Sequence, residues 1–257
     1  MPMRVVAVTQ SDPFFTGAFF SSFLEEIETQ PVQLVEIVVL PNFNEPRTAL
    51  AARLVRLYGA LGFVRLAGRY LAARIADRRG SPRTVEAIAA RRGIRVRPLR
   101  TINSTGYLDE IRRRQVDVLL SVAAPEIFGQ DALTAAPLVL NVHSGKLPDY
   151  RGMMPTFWAL LNGEREIVVT VHEMAARLDA GAVLAEFPIA VRSDESAFDL
   201  AARAKDVAGR EVARLIGRLE TQSRPQPMFT PSDGGSYYTF PRRADARLLR
   251  SRGRRLL

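Results

Sequence analysis

The sequence predicts an α/β protein built on a doubly wound, mostly parallel sheet, and three features indicate this class. Short apolar runs rich in valine, isoleucine and leucine recur along the chain, as expected of strands that are covered on both faces. Segments with helical spacing separate these runs, so that strand and helix alternate. The length of 257 residues and the apolar content of 47% are sufficient for one large domain.

The first three elements form a strand–helix–strand unit. Strands are predicted at Val5–Thr9 and Val32–Leu40, with a helix at Phe14–Ile27 between them. A helical crossover connects parallel neighbours. The turn Gln10–Pro13 contains neither the G-x-G-x-x-G pattern of dinucleotide-binding proteins nor a glycine loop for phosphate. The sequence therefore lacks the usual dinucleotide fingerprint.

Later elements continue the alternation. Helices are predicted at Thr84–Arg92, Tyr107–Arg114, Phe128–Ala135 and Glu195–Leu219, and strands at Ile94–Leu99, Val116–Val122, Leu138–Val142 and Ala182–Val191. We predict a catalytic domain over residues 1–220. Residues 221–257 are expected to form a short C-terminal arm with a terminal helix and a basic end.

Residues 46–80 are the least expected part of this pattern. Arginines alternate with apolar residues there, and three glycines interrupt the segment. One interpretation is an amphipathic helical insertion that packs on the domain or on a second subunit of a homodimer. The other is attachment to an anionic membrane surface. The glycines and the short helical pieces favour packing.

Composition excludes several classes of protein. The chain has no cysteine, which rules out a disulfide framework and thiolate metal or redox sites. No apolar run approaches the roughly 18 residues of a transmembrane segment. The N-terminus does not resemble a signal peptide. These features predict a cytoplasmic enzyme.

The net charge of +9 at pH 7 suggests polyanionic partners. Only Lys146 and Lys205 are lysines, and seven arginines lie between Arg242 and Arg255. Such a run is more often a solvated end than a nucleic-acid site, so binding of nucleic acid is not favoured. A basic protein that binds RNA or a membrane surface without catalysis is the non-enzymatic alternative.

The densest chemistry lies between Leu140 and Gly181. An apolar run ends in Asn141-Val-His143, and a loop, a helix and a second apolar strand lead to Asp179. Asn141 and His143 are two apart on an extended chain, so their side chains share a face at the carboxyl end of a strand. An amide can hold an oxyanion, an imidazole can move a proton, and a carboxylate can stabilise the imidazolium. These residue types predict an acyl-transfer site.

Structural roles for the same residues stay open. An isolated Asn-x-His is more often a turn or a satisfied polar pair, and Asp179 before Ala-Gly could stabilise a turn. His172 lies on an apolar run, where a buried, hydrogen-bonded histidine is at least as frequent as a catalytic one. Two histidines without cysteine do not indicate a zinc site, so no metal is predicted.

Four motifs follow one another in this region. They are Asn141-Val-His143, Leu147-Pro-Asp-Tyr-Arg-Gly152, Val169-Thr-Val-His-Glu-Met174 and Asp179-Ala-Gly181. In order and spacing the series resembles the 10-formyltetrahydrofolate-dependent formyltransferase family. That family includes glycinamide ribonucleotide, methionyl-tRNA and sugar-nucleotide N-formyltransferases.

The resemblance implies a Rossmann-like formyltransferase fold and a set of site residues. Asn141 would hold the oxyanion, His143 would shuttle the proton, and Asp179 would position a water and tune His143. The donor 10-formyltetrahydrofolate would bind, largely through backbone groups, at Ala123, Ala124, Pro125, Glu126, Ile127, Phe128 and Leu178. The acceptor would be contacted by Lys146, Tyr150, Arg151 and His172.

One departure from the family pattern concerns the loop after His143. Gly145 and Lys146 replace a serine and an apolar residue of the usual loop. Lys146 is therefore a candidate contact for an anionic substrate. A solvent-facing loop residue is an equally good interpretation.

The resemblance implies transfer of a formyl group to a primary amine of a small molecule. The segment after Leu219 is too short for the tRNA-binding domain of methionyl-tRNA formyltransferases. The segment Tyr237–Pro241 is similar to sequences found beyond the catalytic domain in sugar-modifying relatives. We therefore expect an amino sugar attached to a nucleotide as the acceptor. A formyltetrahydrofolate hydrolase and a methionyl-tRNA formyltransferase-like enzyme are the alternatives.

Overall fold

A seven-stranded sheet forms the centre of the fold. The computed structural model describes residues 1–10, 12, 14–41, 47–219, 225–231 and 234–257. The sheet consists of β1 (Met3–Gln10), β2 (Val32–Leu40), β3 (Val96–Pro98), β4 (Val118–Ser121), β5 (Leu138–His143), β7 (Glu166–Glu173) and β8 (Val183–Ala190). Two short strands, β6 (Arg151–Gly152) and β9 (Tyr237–Tyr238), form a separate pair.

Eight helices are present in the described part of the chain. They are α1 (Thr16–Glu26), α2 (Arg47–Arg78), α3 (Val85–Arg91), α4 (Thr105–Arg113), α5 (Gln130–Leu133), α6 (Pro155–Asn162), α7 (Ala197–Leu219) and α8 (Arg243–Ser251). The helix predicted at Phe128–Ala135 is shorter than expected. It starts late because Gly129 is extended and its N–H donates to Asn103 Oδ1.

The strand order is β3-β2-β1-β4-β5-β7-β8. The first five strands of this order are parallel, whereas β7 runs antiparallel to β5 and β8 antiparallel to β7. The chain winds outwards in both directions from β1, which confirms the doubly wound, mostly parallel sheet. The carboxyl ends of β1, β4 and β5 therefore lie at one edge, where α/β folds bind ligands.

Both faces of the sheet are buried. On β1, Val5 and Ala7 belong to the cluster beneath α1 and α7, while Val6 and Val8 belong to the cluster beneath α4 and α5. All four side chains are inaccessible to solvent. Burial of a valine side chain contributes roughly 1.5–3 kcal/mol, so the apolar runs read from the sequence also supply the core.

Helix α2 lies in the region where a helical insertion is predicted. It bends at Gly59, whose φ of 76° and ψ of 168° are not helical. Of its described apolar side chains, only Leu57 and Leu66 are buried. The Arg69 guanidinium lies 4.4 Å from the centroid of the Phe198 ring on α7. One side of the helix therefore packs on the rest of this chain.

The C-terminal segment returns to the domain through β9 and α8. Ala246 and Leu249 of α8 are buried in the main core cluster. The backbone N–H of Phe198 donates to Leu256 O at 3.1 Å. No helix within the described residues is long and apolar enough to cross a membrane. Residue 46 of the predicted insertion, Ser11 and Pro13 of the predicted turn, and residues 220–224 and 232–233 lie outside the described residues.

Candidate active site

Cross-strand pairing brings Asn141 and His172 together at the carboxyl end of β5. Asn141 is aligned with His172 on β7, and opposed residues of neighbouring strands project to the same face. Their Nδ2 and Nε2 atoms are 3.1 Å apart. His172 Nδ1 donates to Glu173 O at 2.8 Å, which leaves Nε2 as the acceptor for the amide. The second hydrogen on Asn141 Nδ2 remains for another acceptor.

His143 is the last residue of β5 and is buried. Its Nε2 lies 2.6 Å from Tyr150 O. A carbonyl oxygen only accepts, so Nε2 carries the hydrogen and Nδ1 carries the lone pair. Nδ1 faces Asp179 Oδ1 at 3.8 Å, which is beyond hydrogen-bond distance but close enough for the carboxylate to stabilise a protonated ring. The acceptor nitrogen of His143 therefore points to the carboxylate.

Asp179 lies between the two imidazoles. Its Oδ1 is 3.8 Å from His143 Nδ1 and 3.7 Å from His172 Nε2. Its Oδ2 accepts from the backbone N–H of Gly152 at 2.8 Å. Asp179 has a φ of 50°, in the left-handed region that few side chains adopt. At Gly181 a Cβ would lie 1.8 Å from the backbone of β7, so glycine there lets the Asp179 loop close on the strand.

Burial and local charge set the protonation states of this pair. Burial lowers the pKa of His143, and the Asp179 carboxylate opposes this only in part. Burial would raise the pKa of Asp179, but the two imidazoles and the backbone N–H of Gly152 lower it to about 2. At neutral pH the imidazole of His143 is therefore neutral and the carboxylate is ionised. These are the states of a base and of a group that stabilises its protonated form.

The loop predicted to bind the donor follows β4. Ala123 has a φ of 54°, and Ile127 is 71% exposed. The Glu126 carboxylate instead accepts from Asn103 Nδ2 at 3.0 Å, and Phe128 is buried in the core. Glu126 and Phe128 thus hold the loop in place. Ala123 is half-buried, and the Ile127 side chain stays accessible.

The remaining predicted donor contacts lie at the same edge of the sheet. Ala124 and Pro125 are half-buried, and Leu178 is 44% exposed beside Asp179. The end of β4 is aligned with Asn141 on β5, so the loops after β4 and β7 both lie near the polar cluster. Apolar side chains next to a few polar groups are typical of sites for small molecules.

The four residues predicted to contact the acceptor have different environments. Lys146 is exposed. Tyr150 and Arg151 are buried, and the Tyr150 hydroxyl donates to Glu164 Oε1 at 2.7 Å. His172 is buried and uses both ring nitrogens. Lys146 is open to a ligand, whereas the side chains of Tyr150 and His172 support other site residues.

The C-terminal arm forms a wall beside the site, which the sequence reasoning did not foresee. Strand β9 pairs with β6, and a Cβ on Gly152 would lie 2.2 Å from Tyr238 O. The Tyr238 ring stacks between Tyr150 and Trp158, at centroid distances of 5.6 Å and 4.8 Å. The Asn162 amide donates to the Tyr238 hydroxyl at 3.0 Å. The aromatic run around Tyr238 was visible in the sequence, but its pairing partner was not.

The buried position of Lys205 is a second feature that the sequence pattern did not predict. It lies on the buried side of α7, next to the fully buried Ala204. Burial lowers the pKa of Lys205 to about 8, although the charge of Asp12 opposes this change. The charge of Lys205 in turn contributes to lowering the pKa of His143. A lysine on the apolar face of an amphipathic helix was the signal that could have identified it.

Comparison with known proteins assigns this arrangement to a family. The sequence model of the family described as "Formyl transferase" matches residues 77–216, more than half of the chain. This range contains all residues predicted for catalysis, donor binding and acceptor binding.

Three solved structures have a similar fold. Phosphoribosylglycinamide formyltransferase from Anaplasma phagocytophilum is 16% identical with a TM-score of 0.59, over 93% of this chain and 99% of that one. A 4-N formyltransferase from Francisella tularensis is 16% identical with a TM-score of 0.55, over 92% and 76%. A sugar 3N-formyl transferase, determined in the presence of dTDP and 5-N-formyl-THF, is 15% identical with a TM-score of 0.55, over 93% and 70%. At these identities the similarity concerns the fold.

Proposed function

Because the chain belongs to the formyl transferase family and is a 10-formyltetrahydrofolate-dependent enzyme, we propose that it formylates the primary amine of a nucleotide-linked amino sugar. The observation that carries this proposal is the cluster of Asn141, His143, His172 and Asp179 at the carboxyl end of β5. The cluster combines an amide donor, a neutral imidazole and an ionised carboxylate. The lack of cysteine suits the reducing cytoplasm, where we place the reaction.

Each member of the cluster has a step in this proposal. The amine attacks the formyl carbon, and the carbonyl electrons move to oxygen, where the free Nδ2 hydrogen of Asn141 donates. One such donor is worth about 10²–10³ in rate. His143 Nδ1 takes the proton of the attacking amine, and Asp179 stabilises the imidazolium. The proton then passes to N10 of the folate as the bond between N10 and the formyl carbon breaks.

His172 acts through Asn141 in this scheme. Its Nδ1–H is bound to a backbone carbonyl, so Nε2 can only accept. The amide of Asn141 is thereby held with its nitrogen at the site and cannot rotate to present its oxygen instead. Correct orientation of the donor before reaction is what makes an oxyanion contact effective.

The donor would lie against the loops after β4 and β7. The exposed side chains of Ile127 and Leu178 offer apolar surface, and the backbone from Ala123 to Pro125 offers polar groups. Pterin rings combine a flat apolar face with a polar edge, so this mixture suits them. The formyl group would then be directed to Asn141.

The choice of acceptor rests on the arm and on Lys146. Tyr237 is 61% exposed and adjoins the stacked Tyr238 ring, which provides aromatic surface next to the site. Lys146 is an exposed cation on the same loop as the strand β6 that holds the arm. An aromatic wall and a cation suit a base and a phosphate of a nucleotide sugar.

Glycinamide ribonucleotide is the second candidate acceptor. The similarity to the phosphoribosylglycinamide formyltransferase from Anaplasma phagocytophilum extends over as much of this chain as the similarity to the sugar 3N-formyl transferase. Glycinamide ribonucleotide is also an amine that carries a phosphate, and Lys146 could bind that phosphate as well. A hydrolase would use the same cluster with water as the nucleophile.

The test is formyl transfer by the purified protein from 10-formyltetrahydrofolate to a panel of amines. We expect turnover with thymidine or uridine diphosphate amino sugars and little with glycinamide ribonucleotide or methionyl-tRNA. His143→Ala should lower kcat by about 10²–10⁴ because the base is lost. Binding of 5-formyltetrahydrofolate by the same variant, measured by calorimetry, should stay near that of the wild type.

Arg100→Ala, an exposed substitution, serves as the matched control and should leave kcat unchanged. Consumption of 10-formyltetrahydrofolate in the absence of any amine would show that the protein is a hydrolase and not a transferase. Near-normal turnover by His143→Ala would contradict the assignment of the base.

A further inference from the structure

A basic cavity of about 520 Å³ opens at the bend of α2. It is lined by residues on both sides of Gly59 and by the C-terminal segment from Arg243 onwards. Seven of the lining residues are arginines, namely Arg56, Arg65, Arg243, Arg247, Arg250, Arg254 and Arg255. We call this the basic cavity. None of its lining residues belongs to the groups proposed for catalysis, donor binding or acceptor binding.

The charges of the basic cavity are not neutralised within the described part of the chain. Among those residues, no carboxylate lies within 4.0 Å of any of the seven guanidinium groups. Arg250 donates to Tyr58 O and Arg254 donates to Arg192 O, and these partners are neutral. A concentration of uncompensated positive charge in a concave surface attracts anions strongly.

The outer side of α2 carries an exposed apolar stripe next to this cavity. Leu61, Val64 and Leu71 are 66%, 64% and 59% exposed, and Ile75 continues the row. Their spacing of three, seven and four residues places them along one side of a helix. Between Arg47 and Ala76 the sequence contains no acidic residue. We call Leu61, Val64, Leu71 and Ile75 the apolar stripe.

We propose that the basic cavity and the apolar stripe together dock on an anionic phospholipid surface. The arginines bind head-group phosphates, and the stripe enters the boundary between head groups and acyl chains. This adds attachment to a membrane surface to the proposed transferase, and it holds whichever amine the site accepts.

An anionic bilayer suits this surface better than two other partners, RNA and a second copy of the chain. RNA would be bound through its phosphates by the arginines, but it gives the aliphatic stripe nothing to bury. A second copy packed on the stripe around a two-fold axis would bring Arg65 and Arg74 of both copies into one interface. The one carboxylate of α2, Asp77, already accepts from the backbone N–H groups of Arg83 and Thr84. An anionic bilayer satisfies both the charge and the apolar surface.

The test is co-sedimentation of the full chain with two kinds of vesicle. One is pure phosphatidylcholine, and the other mixes phosphatidylglycerol and phosphatidylcholine in a ratio of one to two. We expect binding to the anionic vesicles only. Arg56→Glu combined with Arg65→Glu should weaken it by at least about tenfold, since each arginine near the surface contributes about fivefold. Leu61→Ser combined with Val64→Ser should also release the protein.

The matched control is Arg100→Glu combined with Arg165→Glu, which changes the net charge equally on exposed residues outside the cavity and the stripe. It should bind anionic vesicles like the wild type. All variants should melt and turn over as the wild type does, because the substituted side chains are exposed and outside the site.

Three results would overturn the proposal. One is equal binding, or no binding, to the two kinds of vesicle. Another is a dimer in lipid-free solution that Leu61→Ser with Val64→Ser dissociates, since the stripe would then belong to a second copy. The third is tight binding of single-stranded RNA that anionic vesicles fail to displace.

Discussion

Two acceptor nitrogens and an ionised carboxylate converge in the candidate site. Each imidazole donates its N–H to a backbone carbonyl. His143 donates to Tyr150 O, and His172 donates to Glu173 O. The lone pair of His143 Nδ1 is therefore turned toward Asp179, whereas that of His172 Nε2 accepts from the Asn141 amide. The negative charge of Asp179 favours protonation of the buried His143 imidazole, which is the change that the proposed transfer of a proton from the amine requires.

Asp179→Asn tests this arrangement. Asparagine keeps an acceptor for the Gly152 N–H but removes the charge that raises the pKa of His143. The pKa of His143 should fall further, so the acid limb of kcat/KM against pH should move to lower pH. The plateau should drop by roughly 10² because the imidazolium loses its counter-charge.

Asp109→Asn, on an exposed side chain of α4, is the control and should leave the profile in place. An acid limb that stays where it is, or moves to higher pH, would show that Asp179 does not tune His143.

The proximity of Asn141, His143 and Asp179 could be predicted because they belong to one short series of motifs. The function of His172 could not, since it depends on the register between β5 and β7. The sequence places His172 on an apolar run without saying which residue it faces.

At the scale of elements, the loop after β5 depends on a strand from the far end of the chain. β9 pairs with β6, and this pairing positions the Gly152 N–H that binds Asp179. Glycine is required there on two grounds: its φ is 92°, and a Cβ would meet Tyr238 O at 2.2 Å. The arm thus contributes to the geometry of the site without supplying a reacting group.

A comparison of Gly152→Ala with Gly163→Ala distinguishes the effect of the positive φ from that of the contact between a Cβ and Tyr238 O. Gly163 has a φ of 84° but no atom within 4 Å of a Cβ, so only backbone strain is added there, about 1–3 kcal/mol. Gly152→Ala adds the collision with the arm. It should lower the free energy of unfolding by more and should also lower kcat, whereas Gly163→Ala should spare kcat.

Equal losses of stability and unchanged turnover in both variants would contradict a role of the arm. Urea unfolding and initial-rate assays supply the two measurements.

At the scale of the whole molecule, α2, the arm and the sheet share one core. Leu57 of α2 and Leu256 of the arm are buried in the cluster that also contains the first strand. Arg250 of α8 donates to Tyr58 O on α2. Removal of a buried side chain of α2 should therefore destabilise the entire fold.

Leu57→Ala should lower the free energy of unfolding by about 2–5 kcal/mol in a single cooperative transition. Leu61→Ala removes a side chain of the same size that is 66% exposed, and it should change stability by less than about 0.5 kcal/mol. Two separate transitions, with only the smaller affected by Leu57→Ala, would show that α2 folds independently of the sheet.

Local sequence pattern specifies the class of the fold and the polar residues that meet in the candidate site. Alternating apolar runs and helical segments lead to a doubly wound sheet, because each strand must be covered on both faces. The motif from Asn141 to Gly181 names the polar groups, since local spacing sets which side chains share a strand. Both properties are encoded within short stretches of chain.

The way in which distant segments meet follows from the folded structure and not from local pattern. The pairing of β6 with β9, the stack around Tyr238 and the basic cavity all join residues far apart in the chain. Such contacts depend on the relative stability of many alternative pairings, which local pattern does not rank. The physical reason is that register and packing are settled by the whole core at once, whereas propensity and motif act residue by residue.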